Sequence, residues 1–168
     1  ASEVHAGDRA SCTDYITRVR AQLPQLTSII IVNTSGSLRC YSEGERPQIS
    51  LADRFYFREA IATRAFSIGN YTASRVSDRN VVPMALPVIE DGEVAYVMVA
   101  GLNIDWFGQQ IRDRGLARGS TITVADRNGI IIAREPDPDK FVGTTIATRY
   151  IPLLSERAGT HDVESRDG

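Results

Sequence analysis

The sequence has few of the residues from which catalytic and metal sites are usually built. Its 168 residues include only two histidines and two cysteines. Neither His5 nor His161 lies at ligand spacing from a cysteine, so we predict no zinc cage. The sequence also contains no phosphate-binding glycine motif and no Ser–His–Asp arrangement. We therefore predict no catalytic residues, no metal and no cofactor.

Long apolar runs and an excess of one charge are also missing. No run reaches the roughly 18 apolar residues of a membrane-spanning helix. The formal net charge is −2, with 19 basic and 21 acidic residues. Proteins that bind nucleic acid normally carry a basic stripe, so this balance argues against such a partner. The two ends, "ASEVHAGDR" and "HDVESRDG", are typical of cut edges, and we expect a fragment of a longer protein.

Apolar periodicity predicts helices alternating with hairpins. Helical spacing occurs at residues 11–23, and the β-branched run at 29–32, followed by "NTSGS", predicts a hairpin. A capping box at Ser50 and Asp53, or Asp53 alone, would begin a second helix that ends near Thr63. Three strands, at 67–76, 81–89 and 93–104, and a helix at 105–114 follow. The stretch "STITVADRNGIIIARE" then repeats the hairpin layout. Strands joined by hairpins imply an antiparallel sheet with helices packed on it, an α+β fold.

The stretch "DRFYFREAI" contains the first candidate binding residues. Arg54 and Arg58 lie four residues apart and therefore share one face of the predicted helix. The positive end of the helix dipole disfavours Arg54 in the first turn unless an anion binds beside it. The alternative is a solvated arginine, or one that pairs with Glu59 or Glu90.

Two of the predicted strands present small and polar residues on one face. Alternation gives Gly69, Tyr71, Ala73 and Arg75 on the first, and Val97, Val99, Gly101 and Asn103 on the last. Small residues leave volume for a bound molecule, and polar ends can orient it. The alternative is that Ala73 and Gly101 only make room for a helix above the sheet. Pro83 and Pro87 lie in the middle one of the three strands, at 81–89, and they place this strand at a sheet edge or opposite a bulge.

In the order and spacing of its motifs the chain resembles the extracytoplasmic double-Cache sensor domains of bacterial signalling proteins, also called tandem PAS-like or PDC sensors. The motifs are "NTSGSLRCYS", "SLADRFYFREA", "IGNYTASR", "ALPVIEDGEVAYVMVAGLNIDWF" and "GSTITVADRNGIIIARE". The resemblance implies two PAS-like units, each an antiparallel sheet flanked by helices. Residues 1–112 would form the membrane-distal, ligand-sensing unit, and residues 113–168 a truncated membrane-proximal unit. Most of the family's long first helix is missing.

Composition alone leaves two alternatives for Cys12 and Cys40. They form a disulfide bridge, or they are two unrelated buried thiols. The resemblance favours the bridge, because related chains often have one cysteine before the hairpin and another at its far end. A bridge implies an oxidising compartment outside the cytoplasm.

By position, the resemblance also implies a ligand pocket walled by Arg54, Tyr56, Arg58, Tyr71, Arg75 and Asn103. In amino-acid-binding members, an acidic residue after the glycine of the last strand holds the ligand's ammonium group. Here that position is Asn103, and a neutral amide leaves a buried ammonium group uncompensated. Arginine forks bind carboxylates well. We therefore expect a small anionic ligand, such as a carboxylate, rather than an amino acid.

The function implied is that of the periplasmic sensory domain of an inner-membrane, two-component sensor histidine kinase. The same sensor could serve a diguanylate cyclase or a chemoreceptor, and the missing first helix could form a homodimer. A ligand-free spacer, with its arginines in internal ion pairs, is another alternative. A secreted enzyme using Arg58, Arg75 and Asp53 is disfavoured, because no nucleophile–base pair is visible.

Overall fold

The computed structural model describes residues 9–43, 48–155 and 158–160. His5 and His161, considered above as metal ligands, lie outside these ranges. Within them, no group of three or more His, Cys, Asp or Glu side chains could hold a metal ion. None of the helices described there has the length and hydrophobicity needed to span a membrane.

The chain divides into two compact units, Ala1–Phe107 and Gly108–Gly168. Antiparallel strands and flanking helices form the structure, which confirms the predicted α+β fold class. The division falls five residues before the predicted boundary. The assignment of the units as membrane-distal and membrane-proximal stays a prediction.

The first unit is a six-stranded antiparallel sheet with helices on both faces. In chain order its elements are α1 (Arg9–Ala21), β1 (Leu26–Asn33), β2 (Leu38–Tyr41), α2 (Phe55–Thr63), β3 (Ser67–Ile68), β4 (Thr72–Ala73), β5 (Asn80–Glu90) and β6 (Glu93–Asn103). Helix α3 (Ile104–Asp113) follows β6 directly. The strands are ordered β2–β1–β6–β5–β3, and β4 also pairs with β5.

Strand β1 is apolar on both faces because a helix covers each of them. Ile29 and Ile31 belong to the buried cluster that includes the apolar side of α1. Ile30 and Val32 point the other way and pack with Phe57 of α2. Side chains alternate between the two faces of a strand, so two covered faces require an uninterrupted apolar run.

A disulfide joins Cys12 of α1 to Cys40 of β2. Both sulfur-bearing residues are buried, and their Cα atoms are 5.9 Å apart, within the usual range for a bridge. The predicted bridge is therefore confirmed, and it fastens α1 to the sheet.

The strand predicted at residues 67–76 is instead two short strands, β3 and β4, and the chain leaves the sheet between them. The Gly69 amide still donates to the Pro83 carbonyl, at 2.8 Å. Pro83 has no N–H to return this bond, so the ladder stops there. The expected common face from Gly69 to Arg75 is therefore not continuous. Of the two alternatives for β5, the sheet edge is wrong, since β5 pairs with β6 on one side and with β3 and β4 on the other. The alternative of a bulge agrees with the register shift between Val88 and Ile89, just after Pro87.

The expected capping of α2 by Ser50 or Asp53 is wrong as well. The helix begins at Phe55, and Arg54 is at the N-cap position without any side-chain cap. The Ser50 hydroxyl accepts a hydrogen bond from the Ala52 amide instead. The Asp53 carboxylate is held by an arginine, as described below.

The second unit contains a two-stranded sheet and short helices. Its elements are β7 (Ile122–Ala125), β8 (Ile131–Glu135), α4 (Pro138–Phe141) and a 3₁₀ helix (Thr148–Ser155).

The turn of the β7–β8 hairpin has the same hydrogen bonds as the turn of β1–β2. Gly36 donates to the carbonyl of Asn33, and Gly129 to that of Asp126, both at 2.9 Å. Each glycine has a positive φ, of 84° and 78° respectively, which favours glycine there. Both hairpins also shift register shortly before the turn. The layout repeated in the sequence is thus a repeated structure.

Candidate functional site

A small cavity in the first unit lies beside the start of α2. Its lining includes Ser28 and Ile30 of β1, Val99 and Gly101 of β6, and Thr72 of β4. Its volume is about 20 Å³, enough for roughly one water molecule. Pockets that bind small molecules typically measure roughly 300–1,000 Å³. The cavity of this structure is therefore smaller than a typical ligand pocket.

The glycines near this cavity are required by packing. A Cβ on Gly101 would lie 2.5 Å from the Thr27 Oγ1 and 3.0 Å from a methyl carbon of Val81. A Cβ on Gly69 would lie 2.6 Å from Pro83 Cγ and 2.7 Å from Tyr56 Cδ1. Both distances from this Cβ are shorter than any normal contact between carbon atoms. At Gly101, the missing side chain makes room for neighbouring side chains rather than for a bound molecule.

Arg54 brings a positive charge to the cavity wall. The residue is half-buried, and within the described part of the chain its buried Nε has no hydrogen-bond partner. A buried donor left unsatisfied costs roughly 1–3 kcal/mol. Because Arg54 is also the N-cap residue of α2, the positive end of the helix dipole adds to its charge. Both effects favour an anion at this position.

Arg75 also lines the cavity, and its guanidinium group holds the carboxylate of Asp53. The two hydrogen bonds measure 2.6 Å for Nη1 to Oδ1 and 2.7 Å for Nη2 to Oδ2. Nη1 donates a third bond to the carbonyl of Ser50, at 2.7 Å. The hydrogen bond from Arg75 lowers the pKa of Asp53 to about 2 and, in turn, raises the pKa of Arg75. A carboxylate with so low a pKa is a poor general base at neutral pH, which weakens the enzyme alternative.

Tyr56 is a buried aromatic residue that lines the same cavity as these two arginines. Burial raises the pKa of its hydroxyl, while the charges of Arg54 and Arg75 act to lower it. The negative charge of the Asp53 carboxylate opposes these two cations and acts to raise the pKa.

A comparison with protein families identifies this fold. The dCache_1 model, described as Cache domain, matches residues 4–168. The chain belongs to the Cache domain family. The resemblance that the sequence motifs indicated is thus confirmed.

Solved structures share the fold of this Cache domain at low sequence identity. One is the extracellular domain of a protein assigned as a histidine kinase, rpHK1S-Z16, with 23% identity and a TM-score of 0.73 over 84% of this chain and 59% of that one. Another is the sensor domain of the histidine kinase DctB of V. cholerae, with 15% identity and a TM-score of 0.61 over 83% and 52%. A third is the ligand-binding domain of the Pseudomonas fluorescens chemoreceptor CtaA in complex with L-valine, with 13% identity and a TM-score of 0.63 over 81% and 60%.

This Cache domain thus spans between half and three-fifths of the length of these structures. Among the curated proteins compared with it, none matches its sequence.

Three of the six predicted pocket residues do not line the cavity of this Cache domain. Arg58 is exposed on α2, and Tyr71 is half-buried between β3 and β4. The side-chain amide of Asn103 donates to the carbonyl of Pro24, at 3.1 Å, and accepts from the backbone N–H of Trp106, at 3.2 Å. This arrangement is that of a helix N-cap for α3. A role in ligand binding for these three residues stays a prediction.

Sequence reasoning missed the loop after β4, which completes the cavity wall through Ser74 and Val76. The Ser74 Oγ accepts hydrogen bonds from the amides of Val76 and Ser77, at 3.1 and 3.2 Å. The Tyr41 hydroxyl donates to the carbonyl of Val76. The "SRVS" sequence contains the serine of such a turn, but no local signal identifies Tyr41 as its partner.

Proposed function

We propose that this Cache domain is the extracytoplasmic sensory domain of a bacterial membrane signalling protein and that it binds a small carboxylate. The binding site is the cavity between α2, the sheet and the loop after β4. The output module is a histidine kinase, as in two of the similar structures. A diguanylate cyclase or a chemoreceptor is the alternative, and homodimerisation through a longer first helix is part of the proposal.

The observation that supports an anionic ligand is the buried Nε of Arg54, which has no hydrogen-bond partner in the described part of the chain. Arg54 lies at the wall of a cavity that Arg75 also lines. A carboxylate between the two guanidinium groups would accept hydrogen bonds from both. Charge-assisted bonds of this kind are about twice as strong as those between neutral groups.

Ligand entry requires the cavity to expand from about 20 Å³. Asp53 occupies the fork of Arg75, but its side chain is 63% exposed and can turn into solvent. An incoming carboxylate could replace it on Arg75 and keep the guanidinium group paired. The exchange would shift the loop after β4 towards the arrangement that leaves the cavity expanded. The size of this shift is set by the difference in the ligand's affinity for the two arrangements.

A comparison of ligand-induced stabilisation in four chains tests this proposal. Acetate, propionate, succinate and malate are screened by thermal shift, and the strongest is followed by calorimetry. A carboxylate at 100 times its Kd should stabilise the wild type by about 2.7 kcal/mol. Arg54→Ala and Arg75→Ala should lose this effect. Arg64→Ala is the matched control, because Arg64 caps the other end of α2 and pairs with Glu93. Equal stabilisation in all four chains would disprove the site.

A ligand-free structural role is the second candidate function. The small volume of the cavity and the internal Asp53–Arg75 pair favour it. In that case no carboxylate stabilises the wild type, and Arg75→Ala lowers stability without changing any binding signal.

A further inference from the structure

The second unit contains a cavity with a volume of about 360 Å³. This volume falls within the range typical of ligand pockets, roughly 300–1,000 Å³. The cavity lies between the β7–β8 hairpin and the residues that lead into and along the 3₁₀ helix. Most of its lining side chains are apolar, and they include Ala125, Ile131, Ile146, Ala147, Leu153 and Leu154.

The hairpin residues that line this cavity correspond to core residues of the first unit. The β1–β2 and β7–β8 hairpins share the hydrogen bonds of their turns and the position of their register shift. The cross-strand pairs on the matching face are Ile30–Tyr41 and Val32–Leu38 in the first unit, and Thr123–Arg134 and Ala125–Ile131 in the second. All four residues of the first unit belong to its apolar core. All four residues of the second unit line the cavity.

The chain that follows crosses the hairpin turn in the same way in both units. The Leu51 amide donates to the carbonyl of Gly36, at 2.9 Å, and the Ile146 amide donates to that of Gly129, at 2.8 Å. Leu51 is a core residue of the first unit, whereas Ile146 lines the cavity of the second. A face that is covered by core side chains in the first unit thus borders an open volume in the second.

The helices that follow these two crossings explain the difference. In the first unit, α2 buries the side chains of Tyr56, Phe57 and Ala60. In the second unit, the 3₁₀ helix buries none of its residues. Pro152 lies inside this helix and has no N–H for the hydrogen bonds of an α-helix. The space that buried rings occupy in the first unit is therefore left open in the second.

The lining determines the class of molecule that this space can bind. Burying a charged group among apolar side chains is costly. The guanidinium group of Arg134 is held within the unit, since Nη1 donates to the Thr123 Oγ1, at 2.7 Å, and Cζ lies 4.1 Å from the ring centroid of Phe141. An uncharged ligand leaves these contacts in place. An apolar cavity of roughly 150 Å³ binds one benzene molecule, so a cavity of about 360 Å³ has room for two fused rings.

We propose that this cavity is a second binding site, for a small uncharged molecule with an apolar body of one or two rings. The rings take the space that the side chains of α2 fill in the first unit, and they pack against Ile131, Ile146 and Leu154. Burial of apolar surface drives the binding. The site is independent of the carboxylate site proposed above and can bind with or without it.

Calorimetry on the whole chain with 2-naphthalenemethanol and benzyl alcohol tests the site, because these uncharged probes differ by one ring. The naphthalene probe should bind at least tenfold more tightly, since its second ring buries more apolar surface. Ala125→Leu fills the cavity from the hairpin, and Ala147→Phe fills it from the segment before the 3₁₀ helix. Each should weaken the binding of the naphthalene probe at least tenfold. Ala117→Leu is the matched control and should leave the Kd unchanged, because Ala117 is exposed in the same unit and lies outside the cavity lining.

Methyl NMR on labelled isoleucine side chains locates the naphthalene probe without any variant. The methyl signals of Ile131 and Ile146 should shift when the probe is added. Those of Ile29 and Ile31, which are buried in the first unit, should not move.

Several outcomes would overturn the second site. They are equal binding of the two alcohols, no binding of the naphthalene probe at millimolar concentration, an unchanged Kd in both filled variants, or shifts confined to isoleucines of the first unit. Tighter binding of 2-naphthoate than of 2-naphthalenemethanol would refute the uncharged class of ligand. A dimer in sedimentation velocity that dissociates in both filled variants would assign the cavity to a second copy of the chain. If circular dichroism shows that neither filled variant folds, the probe pair and the methyl shifts decide.

Discussion

Breaking the disulfide should lower the stability of the first unit by a predictable amount. Cys12 and Cys40 are separated by 28 positions in the chain. In the chain-entropy model, closing a loop of that length in the unfolded state stabilises the folded protein by about 3.5 kcal/mol. Urea slopes of small proteins are roughly 1–3 kcal/mol per molar. Reduction should therefore lower the urea midpoint by about 1.2–3.5 M.

The effect of breaking the disulfide bond can be distinguished from the effect of removing its sulfur atoms, because these atoms are packed in the core. Both cysteines are buried in the cluster that contains Ile16, Ile29 and Ile31. Reduction breaks the bond but leaves the sulfur atoms in this cluster. The double variant Cys12→Ala/Cys40→Ala also removes them, so it should be less stable than the reduced wild type, by roughly 1 kcal/mol.

Urea unfolding followed by far-UV circular dichroism measures both effects. The oxidised wild type, the wild type in dithiothreitol and the double variant are compared, and mass spectrometry counts free thiols. Dithiothreitol should not move the midpoint of the double variant, which is the control. The entropic argument would be refuted if the oxidised chain has no free thiols, so that the bridge is formed, and yet is no more stable than the reduced chain.

Three further predictions follow from single contacts in the first unit. In Asp53→Asn, the fork of Arg75 loses its internal carboxylate. Calorimetry should then show tighter binding of the carboxylate that the thermal-shift screen selects. Weaker or unchanged binding would contradict the proposed exchange of Asp53 for the ligand on Arg75. The pKa of Asp53 is lowered from 3.8 to about 2, so the stability it contributes is present above about pH 4 and lost as the pH falls towards 2. Urea midpoints between those pH values should drop less in Asp53→Asn than in the wild type, and parallel curves would argue against the pair. Asn103→Ala removes the cap of α3 and should lower the free energy of unfolding in urea by about 1 kcal/mol. The Kd for the carboxylate should stay unchanged. A higher Kd would instead place Asn103 in the binding site.

The cavity geometry depended on contacts that no local pattern contains. Asp53 and Arg75 are 22 positions apart, and their bond is visible only once the loop after β4 is in place. The alternation rule placed Arg75 on a strand that the chain in fact interrupts. The cause lies in another strand, where Pro83 cannot return a hydrogen bond to Gly69. Asn103 similarly found a partner, Pro24, far away in the sequence.

The sequence by itself determined the α+β class, the two hairpins and the family. These features depend on periodicity and on turn residues such as Gly36 and Gly129, whose effects extend over only a few neighbours. The tertiary structure alone decided which predicted residues meet at the cavity and how large that cavity is. It also revealed a cavity of about 360 Å³ in the second unit, lined by residues of the β7–β8 hairpin and of the 3₁₀ helix. Such properties arise from packing between segments distant in the chain, and a volume enclosed by several elements has no signature in any one of them.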